Sequence, residues 1–278
     1  MEANESMMKL DEILSQQPLP EAVRSQKPRD HTVVFDQVTF RYPGAERPAL
    51  DHVSFTVPEG SVVGLVGPSG GGKSTAAALI PRFWDVKIGG VDVRNMDSRE
   101  LMRQVAFVFQ DTRLFKVSIL ENIRMARPSA TLEEILAAAR AAQCGDILEK
   151  LPQGIDTVVG AQGVYLSGGE AQRIALARAI LKDAPIVVLD EATALADPEN
   201  EALIQKAFWE LTRGKTVLMI AHRLSTVRDA DNILVVEKGS IREQGTHDQL
   251  EAQDGLYAKM WQDYRQAAAW KVGKEAVI

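Results

Sequence analysis

The chain has 278 residues, 45% hydrophobic and 25% charged, a composition typical of a soluble globular protein with a full core. Its formal net charge of −6 argues against a surface devoted to nucleic acid, because phosphate backbones require clustered lysines and arginines. Cys144 is the single cysteine, which excludes an internal disulfide, and no stretch reaches the roughly 18 to 20 apolar residues needed to cross a bilayer. The N-terminus lacks a signal-peptide pattern, so we expect a cytoplasmic chain.

Residues 1–30 are polar and proline-containing, with one amphipathic stretch from Met7 to Leu14. They predict a helix tail followed by a linker. Between His31 and Tyr42, apolar residues alternate with polar ones, which predicts a half-buried antiparallel strand. The apolar residues of this alternation are Val34, Val38, Phe40 and Tyr42. A second such strand is predicted around 53–57.

A glycine-rich segment lies between an apolar run at 61–66 and a helix-forming run at 75–80. Its residues are Gly67, Pro68, Ser69, Gly70, Gly71, Gly72, Lys73 and Ser74. In this setting the backbone N–H groups converge on phosphate oxygens, and the helix adds the positive end of its dipole. Lys73 offers a charge for the outer phosphates and Ser74 a hydroxyl for Mg²⁺. The segment predicts a phosphate-binding loop for a nucleoside triphosphate.

Helices dominate the middle of the chain. A short apolar segment at 105–109 predicts a buried strand, and the pattern then changes. Thr131 and Ser167 each stand three residues before a glutamate, as in a capping box. The first predicts a helix running to Gln143, and the second a helix reaching Lys182. We therefore expect a helical subdomain at about 111–182.

Strands return at 186–189 and 216–220, separated by a helix through 202–211 that Asp197 and Pro198 cap. A Lys238-Gly239 turn predicts a hairpin of 233–237 with 240–244. Strands alternating with helices predict a largely parallel sheet in an α/β fold. The last stretch, 256–278, predicts an amphipathic helix docked on the core, with Met260, Trp261, Tyr264 and Ala268 at helical spacing. The main domain would span 31–255.

Two carboxylates, Asp190 and Glu191, end the apolar run at 186–189. An apolar strand holds an acid rigidly at its tip, on the side of the sheet where the phosphate loop also lies. Asp190 then suits Mg²⁺, and Glu191 suits activation of the attacking water. An acidic pair after a strand is also a common solvent-facing helix start. The phosphate loop favours the catalytic interpretation.

The order of these motifs resembles the nucleotide-binding domain of ATP-binding cassette (ABC) transporters of the exporter type, over nearly the whole chain. The most discriminating segment is Leu166-Ser167-Gly168-Gly169-Glu170, which matches the family's signature. The resemblance implies a P-loop NTPase fold, a RecA-like mostly parallel sheet with an antiparallel β subdomain and an α-helical signature subdomain. It also implies a head-to-tail dimer, each ATP lying between one subunit's phosphate loop and the other's signature. Ser167 can also cap its own helix. The cap uses the Ser167 hydroxyl, whereas an anion would be bound by the remaining N–H groups of the helix start, so the two roles are compatible.

The resemblance also implies site residues, carried over by motif. The residues expected to bind ATP are Tyr42, Gly67, Ser69, Gly70, Gly71, Gly72, Lys73, Ser74, Thr75, Gln110, Ser167, Gly168, Gly169, Asp190 and Asp197. Those expected to bind Mg²⁺ are Ser74, Gln110 and Asp190, and those expected to act in catalysis are Glu191, His222, Gln110 and Lys73. Tyr42 would stack on adenine, Gln110 would sense the transmembrane partner, and His222 would contact the γ-phosphate. His31, His52 and His247 have no companions at metal-ligand spacing and receive no role.

The sequence departs from the family at three places. Ala194 stands where the family commonly has a serine, and the segment around Ala161 lacks the acidic residues that exporter-type domains carry there. The first change removes a hydroxyl contact across the dimer, and the second bears on coupling to membrane helices. The chain also passes directly from Val86 to Lys87-Ile88-Gly89-Gly90, which predicts a shortened hairpin. The residues at 82–86, 107–111 and 196–201 are similar to those of a subgroup of exporter-fold transporters linked to iron-siderophore traffic.

These observations predict a Mg²⁺-dependent ATPase that powers transport, working with a second ABC ATPase domain, identical or not, and with transmembrane domains at the cytoplasmic face of the membrane. Residues 9–14 and the prolines after them resemble the segment that joins the last membrane helix of a half-transporter to its ATPase domain, so residues 1–30 would be the tail of a membrane-domain helix and a linker. Two alternatives remain. A soluble ABC ATPase acting on nucleic acid or ribosomes is disfavoured by this resemblance and by the acidic balance. A module that traps ATP without turnover is disfavoured by the presence of Glu191 and His222.

Overall fold

The computed structural model of the chain describes residues 7–8, 10–11, 14–15, 21–22, 24–83, 87–160, 163–190, 198–221 and 223–275. Its strands are β1 (Val33–Phe40), β2 (Leu50–Val57), β3 (Val62–Val66), β4 (Lys87–Ile88), β5 (Val91–Asp92), β6 (Val105–Val108), β7 (Ile186–Asp190), β8 (Thr216–Ile220), β9 (Asn232–Glu237) and β10 (Ser240–Gly245). The α-helices are α1 (Lys73–Ala78), α2 (Ser98–Gln104), α3 (Ile119–Arg124), α4 (Leu132–Ala141), α5 (Gly145–Lys150), α6 (Gly168–Lys182), α7 (Pro198–Thr212), α8 (His247–Ala252) and α9 (Leu256–Glu275).

The larger sheet has the strand order β10-β9-β3-β8-β7-β6. Strands β9, β3, β8, β7 and β6 run parallel, and β10 pairs antiparallel with β9. Parallel neighbours need crossover connections, and the intervening helices supply them. The predicted parallel sheet is confirmed. Because parallel strands end at one edge, the ends of β3 and β7 lie on the same side of the sheet.

The parallel strands are buried on both faces, so successive residues enter two different cores. In β7, Val187 and Leu189 belong to the core under the helical region, whereas Ile186 and Val188 belong to the core under the small sheet. Continuous apolar runs are what such doubly covered strands require. This explains why β7 and β8 read as unbroken hydrophobic segments.

The smaller sheet has the order β2-β1-β4-β5, and its pairings are antiparallel. Strand β1 was predicted with Val34 in its buried set, and that assignment is wrong for its first half. Val33 and Phe35 are buried there, and Phe35 stacks on Phe55 with ring centroids 4.2 Å apart. A register shift follows Phe35, where Gln37 has a φ of 52°, and it moves the partly buried set to Val38 and Phe40. A bulge of this kind changes which face a side chain occupies.

A hairpin is present here as β4 and β5, joined through Gly89 and Gly90. The preceding segment runs alongside it: the Gln26 N–H donates to the Asn95 carbonyl at 2.8 Å, and the Arg29 N–H donates to the Gly89 carbonyl at 3.3 Å. A Cβ on Gly89 would lie 2.4 Å from the Asp30 carbonyl oxygen, so the two segments touch. Part of the predicted linker is thus attached to the domain by backbone hydrogen bonds.

Both predicted capping boxes are confirmed. The Thr131 and Ser167 side chains each accept a hydrogen bond from the N–H of the glutamate three residues on, and that glutamate accepts one from the capping residue's N–H. Helix α4 ends at Ala141 rather than at the predicted Gln143, which has a φ of 57°. A residue in the left-handed region cannot continue an α-helix.

The C-terminal helix docks as predicted. In α9, Tyr257 and Trp261 are buried, and Met260 and Tyr264 are partly buried against the same core. The side chain of Ala268 lies outside the described residues, as does the predicted cap Asp197 of α7. The hairpin of β9 and β10 turns at Lys238 and Gly239, which have φ angles of 50° and 76°.

Candidate functional site

The phosphate loop curls around the side chain of Lys73, which is only 5% exposed. Its Nζ donates hydrogen bonds to the carbonyl oxygens of Gly67, at 2.8 Å, and Pro68, at 2.9 Å. Gly72 has a φ of 108°, and a Cβ there would lie 2.6 Å from the Ala49 carbonyl oxygen. Only glycine fits that position. The Lys73 ammonium therefore ties together the start of the loop, and Gly72 lets the loop approach Ala49 closely.

Ser74 and Asp190 meet beside the loop. Ser74 lies in the first turn of α1, and Asp190 ends β7, with β8 between β7 and β3. The Ser74 hydroxyl lies 3.4 Å from Oδ1 of Asp190. A hydroxyl and a carboxylate are hard oxygen ligands of the kind that Mg²⁺ uses together with nucleotide phosphates and water. The residue types fit Mg²⁺.

A cavity of about 380 Å³ covers the loop. Its lining consists of Tyr42, Ala49, Ser69, Gly70, Gly71, Gly72, Lys73, Ser74, Thr75 and Gln110. The structure thus brings the predicted Tyr42 and Gln110 to the phosphate loop, although both are distant from it in sequence. The Tyr42 hydroxyl lies 3.1 Å from the Thr75 hydroxyl, and the Tyr42 ring contacts Phe40 edge-on. An aromatic ring, a basic loop and oxygen ligands in one cleft fit a nucleotide with its metal.

The signature residues lie at the start of α6, where Ser167 and Gly168 are exposed. Gly169 is buried against α7, because a Cβ there would lie 2.9 Å from the Cβ of Asn200. The Ser167 hydroxyl caps the Glu170 N–H at 3.3 Å. The first N–H groups of a helix have no partner within it, and the helix dipole favours an anion there. This exposed helix end can receive an anion from outside the chain.

Sequence reasoning missed Arg173, which organises the signature helix. Its side chain is 1% exposed, and it donates to Oδ1 and Oδ2 of Asp146 at 2.5 and 3.0 Å, to the Gln143 carbonyl, and to Oδ1 of Asn200 at 2.9 Å. The hydrogen bonds from Arg173 hold the pKa of Asp146 below its ordinary value. No local sequence pattern indicates that an arginine inside a helix is buried and hydrogen-bonded to several other segments.

A larger groove of about 850 Å³ lies beside the nucleotide cleft, and Gln110 lines both. Three of its apolar side chains, Phe109, Phe115 and Met125, are about half exposed. Phe109 was expected in the buried strand, but β6 ends one residue earlier. Arg178 lies 5.6 Å from the Phe115 ring centroid. The groove thus joins apolar surface to a residue of the nucleotide cleft.

The loop beside this groove is held by Arg178 and Asn122. Arg178 Nε donates to the Asn122 carbonyl at 2.7 Å, and Nη1 donates to the Arg113 carbonyl at 2.9 Å. The fully buried Asn122 side chain in turn bonds both the N–H and the carbonyl of Phe115, at 2.9 and 3.0 Å. Burial lowers the pKa of Arg178. These bonds give the rim of the groove a defined shape.

Three predicted site residues, Glu191, Asp197 and His222, lie outside the described residues, as do Ala161 and Ala194. Their neighbours Asp190 and Ile220 end adjacent strands, β7 and β8. Within the described ranges no three His, Cys, Asp or Glu side chains cluster as a metal site, and no helix is long and apolar enough to span a membrane.

The three other histidines have protein partners. His31 contacts Glu59 at 2.7 Å, and His52 contacts Asp51 at 2.8 Å. His247 Nδ1 lies 2.8 Å from the Tyr257 hydroxyl and helps to dock α9. Each of these three histidines therefore contacts a side chain of the protein itself.

Comparison with known proteins places the chain in a family. The family model "ABC transporter" matches residues 50–194. The ATP-dependent lipid A-core flippase of Dechloromonas aromatica (strain RCB) is 50% identical over 235 residues, covering 82% of this chain and 40% of the flippase. The mycobactin import ATP-binding/permease protein IrtA of Mycolicibacterium thermoresistibile is 51% identical over 243 residues, covering 85% of this chain and 26% of IrtA.

Among solved structures, that of a bacterial Atm1-family ABC exporter with ATP bound superposes with a TM-score of 0.84 at 40% identity, covering 94% of this chain and 46% of the exporter chain. The chain therefore spans less than half the length of these relatives. The matched region contains the phosphate loop, Gln110, the signature and Asp190. The chain belongs to the ABC transporter family, as an ATP-binding domain with the P-loop NTPase fold.

Proposed function

We propose that this chain is a Mg²⁺-dependent ATPase whose hydrolysis powers transport of a substrate across a membrane. The observation that carries the proposal is the 3.4 Å approach of the Ser74 hydroxyl to Asp190, beside a loop that encloses the Lys73 ammonium. Phosphoryl transfer requires charge neutralisation, a positioned metal and a positioned water. The first two requirements match residues in the cleft.

We assign Lys73 and the loop N–H groups to the phosphates, and Ser74, Asp190 and Gln110 to Mg²⁺. Held by these three residues, Mg²⁺ would supply positive charge that offsets the charge of the phosphates. Tyr42 would stack on the adenine. Glu191 follows Asp190 directly, and we assign it to accept the proton of the attacking water. His222, two residues after β8, would contact the γ-phosphate.

We further propose that the active form is a head-to-tail dimer with a second ABC ATPase domain. Support comes from the exposed start of α6, where Ser167 and Gly168 face solvent at a helix N-terminus. A partner's γ-phosphate matches that anion site in charge. Asp197, which follows β7 and precedes α7, would contact the partner near the same nucleotide.

The partner at the groove beside Gln110 would be the transmembrane part of the transporter. The half-exposed Phe109, Phe115 and Met125 offer apolar contact area next to a residue that also lines the nucleotide cleft. A partner seated there could therefore affect the metal ligand. The relatives are named as a flippase and an ATP-binding/permease protein, and the chain covers 40% and 26% of them. We place the domain at the cytoplasmic face of the membrane.

Release of phosphate from ATP by the purified chain tests the ATPase proposal. We expect steady multiple turnover with Mg²⁺ and its loss when EDTA is added. Binding of ATP with less than one phosphate released per chain would instead favour the ATP-trapping alternative. Stimulation by DNA or RNA, with none by membranes containing a cognate transmembrane domain, would favour the soluble alternative.

A further inference from the structure

The first turn of α7 carries two adjacent polar residues with partners in different parts of the chain. Asn200 Oδ1 accepts a hydrogen bond from Arg173 Nη2 at 2.9 Å, and Glu201 forms an ion pair with Arg223 Nη1. Arg173 lies six residues after Ser167 on the signature helix, and Arg223 immediately follows His222. One helical turn thus joins both regions that the composite site needs.

The contact on the signature side is close, and its Arg173 side chain is buried. Arg173 is fixed by both carboxylate oxygens of Asp146 in addition to Asn200. Gly169 allows α6 and α7 to approach until a Cβ at that position would lie 2.9 Å from the Cβ of Asn200. Because protein interiors are close-packed, a displacement of this turn would be transmitted to the start of α6.

The contact on the histidine side is half-buried. The Arg223 and Glu201 side chains are 33% and 34% exposed. Arg223 precedes the 3-10 turn Leu224–Val227, and its carbonyl accepts the Thr226 N–H at 3.1 Å. At the other end of this turn, Val227 is fully buried against Gly64 of β3. The segment after His222 is therefore held at one end by the core and at the other by Glu201.

We propose that Asn200 and Glu201 are positioning residues, which orient the chain's two half-sites relative to each other. Glu201 acts through Arg223 on the segment that carries His222, and Asn200 acts through Arg173 on the signature end that serves the partner's nucleotide. The proposal rests on the composite ATP site proposed above. A side chain that holds a catalytic segment affects turnover, whereas nucleotide affinity depends on the phosphate loop.

Glu201→Gln tests the histidine side by removing the charge at nearly constant shape. In the 278-residue chain we expect kcat for Mg-ATP hydrolysis to fall by about tenfold or more, the scale of a small misplacement in an active site. The dissociation constant of ATP and the Tm should change little. Glu210→Gln is the matched control, since Glu210 pairs with Arg213 at 3.8 Å on the exposed part of the same helix. It should leave kcat unchanged.

A double-mutant cycle tests whether Glu201 acts through Arg223. Arg223→Gln should lower kcat as Glu201→Gln does, and the loss in the double variant should be smaller than the sum of the two single losses, because both variants remove the Glu201–Arg223 ion pair. Arg223→Lys keeps the charge and should retain most of the turnover. Additive losses in the double variant, or a kcat for Glu201→Gln equal to that of the control, would overturn the inference. A fall in Tm with unchanged kcat would overturn it as well.

Asn200→Ala tests the signature side. We expect a several-fold higher dissociation constant for the ATP-dependent dimer, with ATP binding to the monomer unchanged, because Arg173 loses a partner. Equal dimer affinity in the variant and the wild type would contradict this half of the inference. Absence of ATP-dependent dimers or of turnover in the wild-type chain would instead refute the composite site itself, so the two failures are distinguishable.

Discussion

The Ser74 hydroxyl lies 3.4 Å from Oδ1 of Asp190, although 116 residues separate them along the chain. Ser74 is placed by the helix after β3, and Asp190 by the tip of β7, so the parallel sheet creates this contact. Two oxygen ligands at one edge of the sheet, beside the Lys73 ammonium, define where a nucleotide's charge would be neutralised.

Lys73→Ala should abolish tight Mg-ATP binding, because the loop loses the charge that offsets the outer phosphates. Isothermal calorimetry measures the effect directly. Lys259→Ala, which removes an exposed lysine of α9, is the control and should bind ATP normally. Near wild-type affinity in Lys73→Ala would mean that the loop does not bind the phosphates.

Ser167→Arg should prevent the ATP-dependent dimer while leaving ATP binding to the monomer intact, because the added cation and bulk occupy the anion site at the start of α6. Thr131→Arg is a matched control, since it removes the same kind of capping box from α4. Sedimentation with and without ATP distinguishes them. A dimer that forms equally in both variants would rule out the signature as part of the interface.

Glu191→Gln should preserve ATP binding and dimerisation but slow hydrolysis by roughly a hundredfold or more, the scale expected when a positioned general base is lost. The amide is nearly isosteric, so the ATP-bound dimer should accumulate. Steady-state phosphate release and gel filtration give the two readouts. Glu210→Gln, on the exposed side of α7, serves as the control. Comparable turnover in the wild type and in Glu191→Gln would remove Glu191 from the catalytic role.

Asp146→Asn should lower the free energy of unfolding at pH 7 by about 1 to 3 kcal/mol, because the buried Arg173 loses its charged partner. Arg173 holds the pKa of Asp146 below its ordinary 3.8 in the folded protein. The pair therefore contributes stability above pH 3.8, and the contribution is lost as pH falls through the lowered pKa of the folded state.

Urea denaturation of the wild type and of Asp146→Asn over a pH series measures this effect. The difference between the two should be largest near neutral pH and shrink below about pH 4. Asp183→Asn is the control, since the exposed Asp183 pairs with Lys215 at the surface, and it should cost at most about 1 kcal/mol. A pH-independent difference between wild type and Asp146→Asn would show that the charge of Asp146 contributes nothing.

Several predictions that held rest on signals confined to a few neighbouring residues. The capping boxes at Thr131 and Ser167 and the Lys238-Gly239 turn are satisfied by hydrogen bonds and φ angles within one turn of the chain. Strand β8 was predicted with its observed bounds because an unbroken apolar run between polar segments specifies a strand buried on both faces.

Two predictions that failed depend on pairing between distant segments. The set of residues that β1 buries changes after Phe35. The cause is a register shift against β2, at which Gln37 has a left-handed φ. Periodicity within β1 contains no information about that partner. Phe109 lies outside the core because β6 is paired only as far as Val108 with β7.

The sequence by itself determined the phosphate loop, the start of the signature helix and the family. Each is identified by a short run of contiguous residues, and the backbone conformation of such a run depends mainly on its own residues. The sequence also indicated that Ser74 and Asp190 lie at one edge of the sheet, as they do. Only the tertiary structure decided two other sets of distant contacts: Arg173 with Asp146 and Asn200, and Arg223 with Glu201. The physical reason is that a charged or polar side chain can be buried only with its partners, and those partners are selected by how helices and strands pack.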